Sequence, residues 1–133
     1  MTIFSKIIAG EIPCYKIAEN ERFFAFLDIA PMARGHVLVI PKIEVDKIFD
    51  LDDDYLAELL VFAKPIGRAI ERTFDCNRCG LEVIGLDVPH VHVHLIPIHS
   101  ADDLNFTRKK LSLSPGEFKQ VQRQLTEALG QGA

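Results

Sequence analysis

Three histidines at alternate positions, His90-Val91-His92-Val93-His94, followed by Leu95-Ile96-Pro97, concentrate more reactive chemistry than any other stretch of the chain. In an extended segment side chains alternate between faces, so His90, His92 and His94 project to one side and Val91, Val93 and Leu95 to the other. Successive imidazoles then stand about 6–7 Å apart. As buried structural residues, each ring would need its own hydrogen-bond partner, a demanding requirement for three groups on one face. As metal ligands, histidines two apart on a strand can share one ion, and His36 or His99 could contribute further. As a nucleophilic site, a neutral imidazole nitrogen attacks phosphorus while its neighbours orient it and stabilise charge on the phosphoryl oxygens. An imidazole with the ordinary pKa of about 6.5 is largely neutral at neutral pH and attacks without prior activation. No acidic ligand is interleaved with the row, which suits an anion site better than a metal site.

The elements that must position this row are legible from periodicity. Ile3, Phe4, Ile7 and Ile8 at helical spacing, with Gly10 behind them, predict a short N-terminal helix over residues 2–9. Tyr15–Ala18 and Phe23–Ile29 read as strands of a hairpin turning at Glu19-Asn20-Glu21. A loop through Pro31, Arg34 and Gly35 leads into the buried-strand pattern His36–Ile40, stopped by Pro41. Asp52, Asp53 and Asp54 favour a helix start, and Leu56, Leu59, Leu60, Ala63, Gly67 and Ile70 continue it to about residue 74. Pro65 should kink that helix or divide it in two. Leu81–Ile84 and His90–Ile96 predict an antiparallel pair, and Ser114-Pro115-Gly116-Glu117 is a capping-box start for a last helix striped by Phe118, Val121, Leu125 and Leu129. That stripe reads as core or subunit packing.

A chain of 133 residues suits one domain, residues 1–133, able to bury roughly two thirds of its unfolded surface. With 48% hydrophobic residues and a net charge of −4, it offers no broad electrostatic pull on nucleic acid, so an anion must be bound locally. Its apolar runs fall far short of the roughly 18–20 residues of a membrane span, and Lys6 interrupts the N-terminal apolar stretch, so neither a membrane partner nor a signal peptide is read; the expected location is cytoplasmic. Three cysteines, Cys14, Cys76 and Cys79, are too few for a disulfide scaffold. Cys76-x-x-Cys79 lacks further ligands at matching spacing and reads as thiols at a helix-to-strand connection.

The triad pattern, with apolar residues between the histidines, resembles the signature of the histidine triad family of nucleotide hydrolases and transferases. Thr2-Ile3-Phe4-Ser5-Lys6-Ile7-Ile8, Glu11-Ile12-Pro13, Phe26-Leu27-Asp28-Ile29-Ala30-Pro31 and Gly35-His36-Val37-Leu38-Val39-Ile40-Pro41-Lys42 are similar, in order and spacing, to its histidine triad nucleotide-binding (Hint) branch. The resemblance covers about residues 1–98, leaving 99–133 as an extension with no family reading. It implies an α+β fold: a five-stranded antiparallel sheet with a long helix and a short N-terminal helix, the sheet extended to ten strands in a homodimer. It also implies binding of purine nucleotides such as AMP or GMP conjugates, and cleavage at the α-phosphorus through a nucleotidyl-histidine intermediate. On that resemblance His92 is the nucleophile, His90 and His94 flank it, His36 completes the phosphate pocket, and Asp28 bonds the ribose hydroxyls. Ile3, Phe4, Ile7, Phe26, Leu27 and Ile29 match the walls of the base pocket. Read from composition alone, these apolar residues would be ordinary core.

Two departures from that branch bear on chemistry. Its asparagine on the strand before the triad and its longer Gly-Gln-x-Val connection are replaced by Val83-Ile84-Gly85-Leu86-Asp87-Val88-Pro89. Asp87 reads as a solvent-facing turn residue; near a phosphate it would be repulsive unless paired with a basic leaving group such as an amine. Where some bacterial relatives place Cys-x-x-Cys, this chain has Thr2 and Ser5, poor zinc ligands, so no metal and no other cofactor is expected. The leading reading is a nucleoside phosphoramidase. A dinucleoside polyphosphate hydrolase or nucleotidyl transferase is the alternative within the same chemistry, and a non-catalytic nucleotide-binding or scaffold dimer the alternative outside it.

Overall fold

The computed structural model describes residues 1–130 of the chain; residues 131–133 of the expected single domain lie outside the described residues. Five strands form one sheet in the order β1-β2-β3-β5-β4, with every neighbouring pair antiparallel. They are β1 (Lys16–Glu19), β2 (Phe23–Leu27), β3 (Val37–Pro41), β4 (Arg78–Glu82) and β5 (Val93–Ile98). Three α-helices accompany them, α1 (Ile3–Ile8), α2 (Asp53–Thr73) and α3 (Pro115–Gly130). None of the described helices is long and apolar enough to cross a membrane.

Alternation along the strands divides the sheet into two faces. Phe23, Ala25 and Leu27 of β2, Val37 and Val39 of β3 and Val93 and Leu95 of β5 pack with Leu59, Ala63, Ile66 and Ile70 of α2 and Val121 and Leu125 of α3. Phe24, Phe26, Leu38 and Ile40 turn to the opposite face, where Phe4 of α1 closes a smaller apolar cluster. The histidines lie on this second face, while Val91 sits in the first core.

Local chemistry explains the element boundaries. Asn20 Oδ1 accepts from the backbone N–H of Arg22 at 3.0 Å and of Phe23 at 2.8 Å, fixing the β1–β2 turn. The expected capping box is present: Glu117 N donates to Ser114 Oγ at 3.1 Å, and Ser114 N to Glu117 Oε1 at 3.0 Å. Asp52 caps α2 by accepting from Tyr55 N at 2.9 Å.

The expected break at Pro65 does not occur, since α2 runs uninterrupted from Asp53 to Thr73. Pro65 lies on the exposed side of the helix, and Val61, whose carbonyl loses its partner, is exposed as well, so water can satisfy that carbonyl. A second difference is nearer the chemistry. The β3 ladder begins at Val37 and the β5 ladder at Val93, so His36, His90 and His92 stand just outside regular strand, and only His94 lies within it. Strand β4 starts earlier than expected, at Arg78.

Gly35 sets up His36. Its φ of +96° is a conformation open chiefly to glycine, and a Cβ there would meet the Phe74 ring at 2.5 Å. Gly35→Ala should therefore destabilise the fold by about 2–4 kcal/mol. A denaturant melt compared with the parent checks this, and an unchanged midpoint would refute it.

Candidate active site

Four of the five histidines converge, and their hydrogen bonds fix which nitrogen of each carries the proton. Nδ1 of His92 lies 2.7 Å from the His90 carbonyl oxygen, which can only accept. Nδ1 is therefore protonated, and Nε2 of neutral His92 keeps a lone pair. Met32 N–H donates to Nδ1 of His36 at 3.0 Å, which puts the His36 proton on Nε2. That Nε2–H donates to Nδ1 of His94 at 2.9 Å, so neutral His94 carries its proton on Nε2. Nε2 of His90 donates to the Pro41 carbonyl at 2.8 Å, leaving its Nδ1 to accept from the Thr2 hydroxyl at 2.9 Å. The set thus presents a nucleophilic nitrogen at His92 beside a ring N–H at His94, with His36 orienting one side and Thr2 the other.

Burial disfavours the charged form of His36, His90 and His94. His36 and His94 are 1% and 6% exposed, and removal from water pushes their pKa values down to about 3 and about 4. Charge on the neighbouring rings, His94 beside His36 and His92 beside His94, acts in the same direction. The same cause lowers His90. Asp28 moves the other way, its carboxyl raised by burial, while its Oδ1 accepts from Ala30 N at 2.8 Å and its Oδ2 lies 3.5 Å from Nε2 of His36.

The metal reading converges on the same atoms. Asp28, His36 and His94 place ligand atoms within 4.8 Å of one another, the sole such group among the described residues. Their nitrogens are 2.9 Å apart and share a proton, which an ion would have to displace. His99 does not join this group; its Nε2 lies 3.1 Å from the Asp75 carbonyl. Cys76 and Cys79 remain apart from it, and burial together with the Glu71 charge holds the Cys79 thiol up at about 12, far from a thiolate.

The apolar residues divide. Phe4 sets its edge against His92 at 5.0 Å, His90 at 5.8 Å and Phe26 at 5.6 Å, so Phe4 and Phe26 wall the base of the site. Ile7 packs beside them, and Ile3 is 48% exposed on the same helix. Ile29 is 73% exposed in the loop after Asp28. Leu27 is not brought to this wall: strand alternation turns its side chain into the core under α2. Asp87 is exposed, lining a surface groove with Thr2, Glu44 and Asp46.

Three contributions escape motif reading. Glu44 Oε1 accepts from Thr2 N and from Ser5 Oγ, both at 2.7 Å, and Thr2 Oγ1 accepts from Ser5 N at 3.0 Å. The residues matched to a zinc-binding pair thus form a hydrogen-bonded clamp holding α1 to His90. Phe106, from the extension after β5, lies 4.7 Å from the His94 ring and 6.1 Å from that of His36, shielding the pair. Lys110 sits over the Phe106 ring at 5.4 Å, and its charge opposes the rise in the Asp28 carboxyl. The apolar-polar pattern Asn105-Phe106-Thr107 gives no hint that Phe106 is inward-facing.

Four imidazoles gathered on one face of a five-stranded antiparallel sheet, with Nε2 of His92 left outside their hydrogen bonds, form the site of an α+β domain. A family model for the HIT domain matches residues 9–101, and the chain belongs to that histidine triad (HIT) family, as one of its hydrolases. It is 36% identical over 132 residues to an uncharacterized HIT-like protein of Borreliella burgdorferi, with 93% of this chain and 95% of that one covered. It is 35% identical over 129 residues to the adenosine 5'-monophosphoramidase hnt1 of Schizosaccharomyces pombe, with 96% and 97% covered. Among solved structures, a hypothetical histidine triad nucleotide-binding protein of Sulfolobus tokodaii superposes with a TM-score of 0.82 at 28% identity, covering 96% of this chain and 91% of that one.

Proposed function

We propose that this hydrolase cleaves purine nucleoside phosphoramidates at the α-phosphorus through a nucleotidyl-His92 intermediate. The observation that carries the reading is the His92 tautomer: Nδ1–H is spent on the His90 carbonyl, so Nε2 is the free nucleophile. Nε2 bonds to phosphorus, and the P–N bond breaks with its electron pair on nitrogen, which takes a proton from solvent and departs as the amine. Water then attacks phosphorus and gives up its protons to solvent, the P–Nε2 bond breaks with its electron pair on Nε2, and nucleoside monophosphate is released with His92 neutral again. His94 Nε2–H, oriented by His36, donates to the phosphoryl group, and neutral His90 lends its carbonyl to His92. Phe4 and Phe26, with Ile3, Ile7 and Ile29 around them, take the base, and Asp28 accepts from the ribose hydroxyls.

The relatives named as adenosine 5'-monophosphoramidases favour an amine over a phosphate leaving group. The homodimer belongs to the same proposal, with edge strand β4 and the half-exposed Leu60 and Leu81 as available surface. The test is mass spectrometry of protein quenched during turnover of an adenosine phosphoramidate. A nucleotidyl mass on the peptide containing His92 is expected. Turnover with no such adduct, under conditions where acid-free quenching preserves phosphohistidine, would count against the intermediate.

A further inference from the structure

Within this reading the identity of the leaving group depends on what lies beyond His94, and the sheet register shows it. Phe26 of β2 pairs with Leu38 of β3, Leu38 with His94 of β5, and His94 with Glu82 of β4. Directly paired residues of antiparallel strands project from the same face, with Cβ atoms about 4.5–5.5 Å apart. The row Phe26–Leu38–His94–Glu82 therefore crosses the triad face from the base wall at one end to a carboxylate at the other. The neighbours of Glu82 confirm its side: Cys79 packs on the α2 core, with its Sγ 3.8 Å from where a Cβ on Gly67 would be. Gly80, two residues before Glu82, faces Ile98 and Leu104 on the other side.

The Glu82 carboxylate is also incompletely bonded. Its Oε2 is shut from solvent and has no hydrogen-bond partner among the described residues. A carboxylate oxygen in that state lacks the donors that normally offset its desolvation, and a ligand N–H supplies one. With the base held at Phe4 and Phe26 and phosphorus over His92, the departing group is directed away from the base, toward the β4 end of the row. An amine there offers an N–H to Glu82. A phosphate there brings negative charge against it.

We infer that Glu82 is a specificity-determining residue that accepts a hydrogen bond from the N–H of an amine leaving group and repels phosphate leaving groups. The inference rests on the phosphoramidase reading and deepens it. It also locates the discriminating carboxylate on β4; exposed Asp87, in its own groove, has no part in it.

The experiment measures kcat/KM for an adenosine phosphoramidate bearing an N–H and for a dinucleoside polyphosphate, in the parent, Glu82→Gln, Glu82→Leu and Asp87→Asn. AMP affinity serves as the check that each variant is folded, and Glu82→Gln, matched in size, covers the case in which Glu82→Leu does not fold. The preference for phosphoramidate over polyphosphate is expected to fall at least tenfold in both Glu82 variants, AMP affinity to stay unchanged, and Asp87→Asn to behave as the parent. An unchanged preference in Glu82→Gln and Glu82→Leu, or a shift confined to Asp87→Asn, overturns the inference while leaving the phosphoramidase reading intact. A parent enzyme that turns over polyphosphate but no phosphoramidate overturns both.

Discussion

His92→Ala should lose turnover of an adenosine phosphoramidate by at least about 10⁴-fold while binding AMP within a few-fold of the parent. The reasoning is that the ring is asked to form and break a covalent bond but not to hold the nucleotide. Base and ribose contacts are assigned to Phe4, Phe26 and Asp28, none of which depends on His92 for its backbone position. The ring does fill space, since Phe4 packs on it at 5.0 Å, so truncation to alanine carries a packing cost. His92→Asn separates the two effects. Its amide NH₂ can replace Nδ1–H in the bond to the His90 carbonyl, now 2.7 Å long, while offering no nucleophile. Both variants should bind AMP by calorimetry and neither should turn over or acquire the nucleotidyl mass. Turnover retained in purified His92→Ala would sink the assignment of the nucleophile.

What the sequence disclosed about this site follows from the range of the interactions involved. The two-residue period of the histidines, the hairpin turn at Asn20 and the Ser114–Glu117 box are local, and each is read from residues within a few positions of one another. The bond between Thr2 and His90 spans 88 residues, and that between Ser5 and Glu44 spans 39, so no window of periodicity contains them. Phe106 and Glu82 were hidden for the same reason: one reaches the histidines by a return of the chain after β5, the other by cross-strand register. Leu27 shows the converse. A motif match groups it with its neighbours Phe26 and Asp28, yet strand alternation sends its side chain to the opposite face. Pro65 leaves α2 unbroken because the rule against interior proline assumes a buried carbonyl, and here the freed carbonyl belongs to exposed Val61.

The hydrogen-bond pattern makes the site a chain of single-proton commitments. Met32 N–H, His36 and His94 form one arm and Glu44, Thr2 and His90 the other, with His92 between them. The His36–His94 arm works only with neutral imidazole, because a second proton on His94 would set two N–H donors face to face at 2.9 Å, and one on His36 would do the same against Met32 N–H at 3.0 Å. Tautomer, burial and neutrality are therefore one property of the fold, and pH is the variable that tests it.

Folding stability should accordingly fall steeply as pH drops below about 6.5. His36 and His94 have folded pKa values lowered to about 3 and about 4 from an ordinary 6.5. Between those limits the unfolded chain binds protons that the folded chain refuses, so stability rises with pH there. It is fully present above about 6.5 and lost as pH falls toward 4 and then 3. Each such proton contributes about 1.4 kcal/mol per pH unit, so two rings amount to several kcal/mol by pH 5, a large share of a typical 5–15 kcal/mol. Lowered His90 adds in the same sense, whereas Asp28, whose carboxyl is raised, holds its proton better when folded and partly offsets the loss. Thermal melts at fixed ionic strength should show the parent losing more than about 10 °C between pH 7 and pH 5. His94→Asn and His36→Asn each remove one titrating ring and should flatten that dependence, whatever their melting temperature at pH 7. Parallel curves for the parent and both variants would mean that the acid sensitivity arises elsewhere, and the buried neutral pair would lose its place in the account.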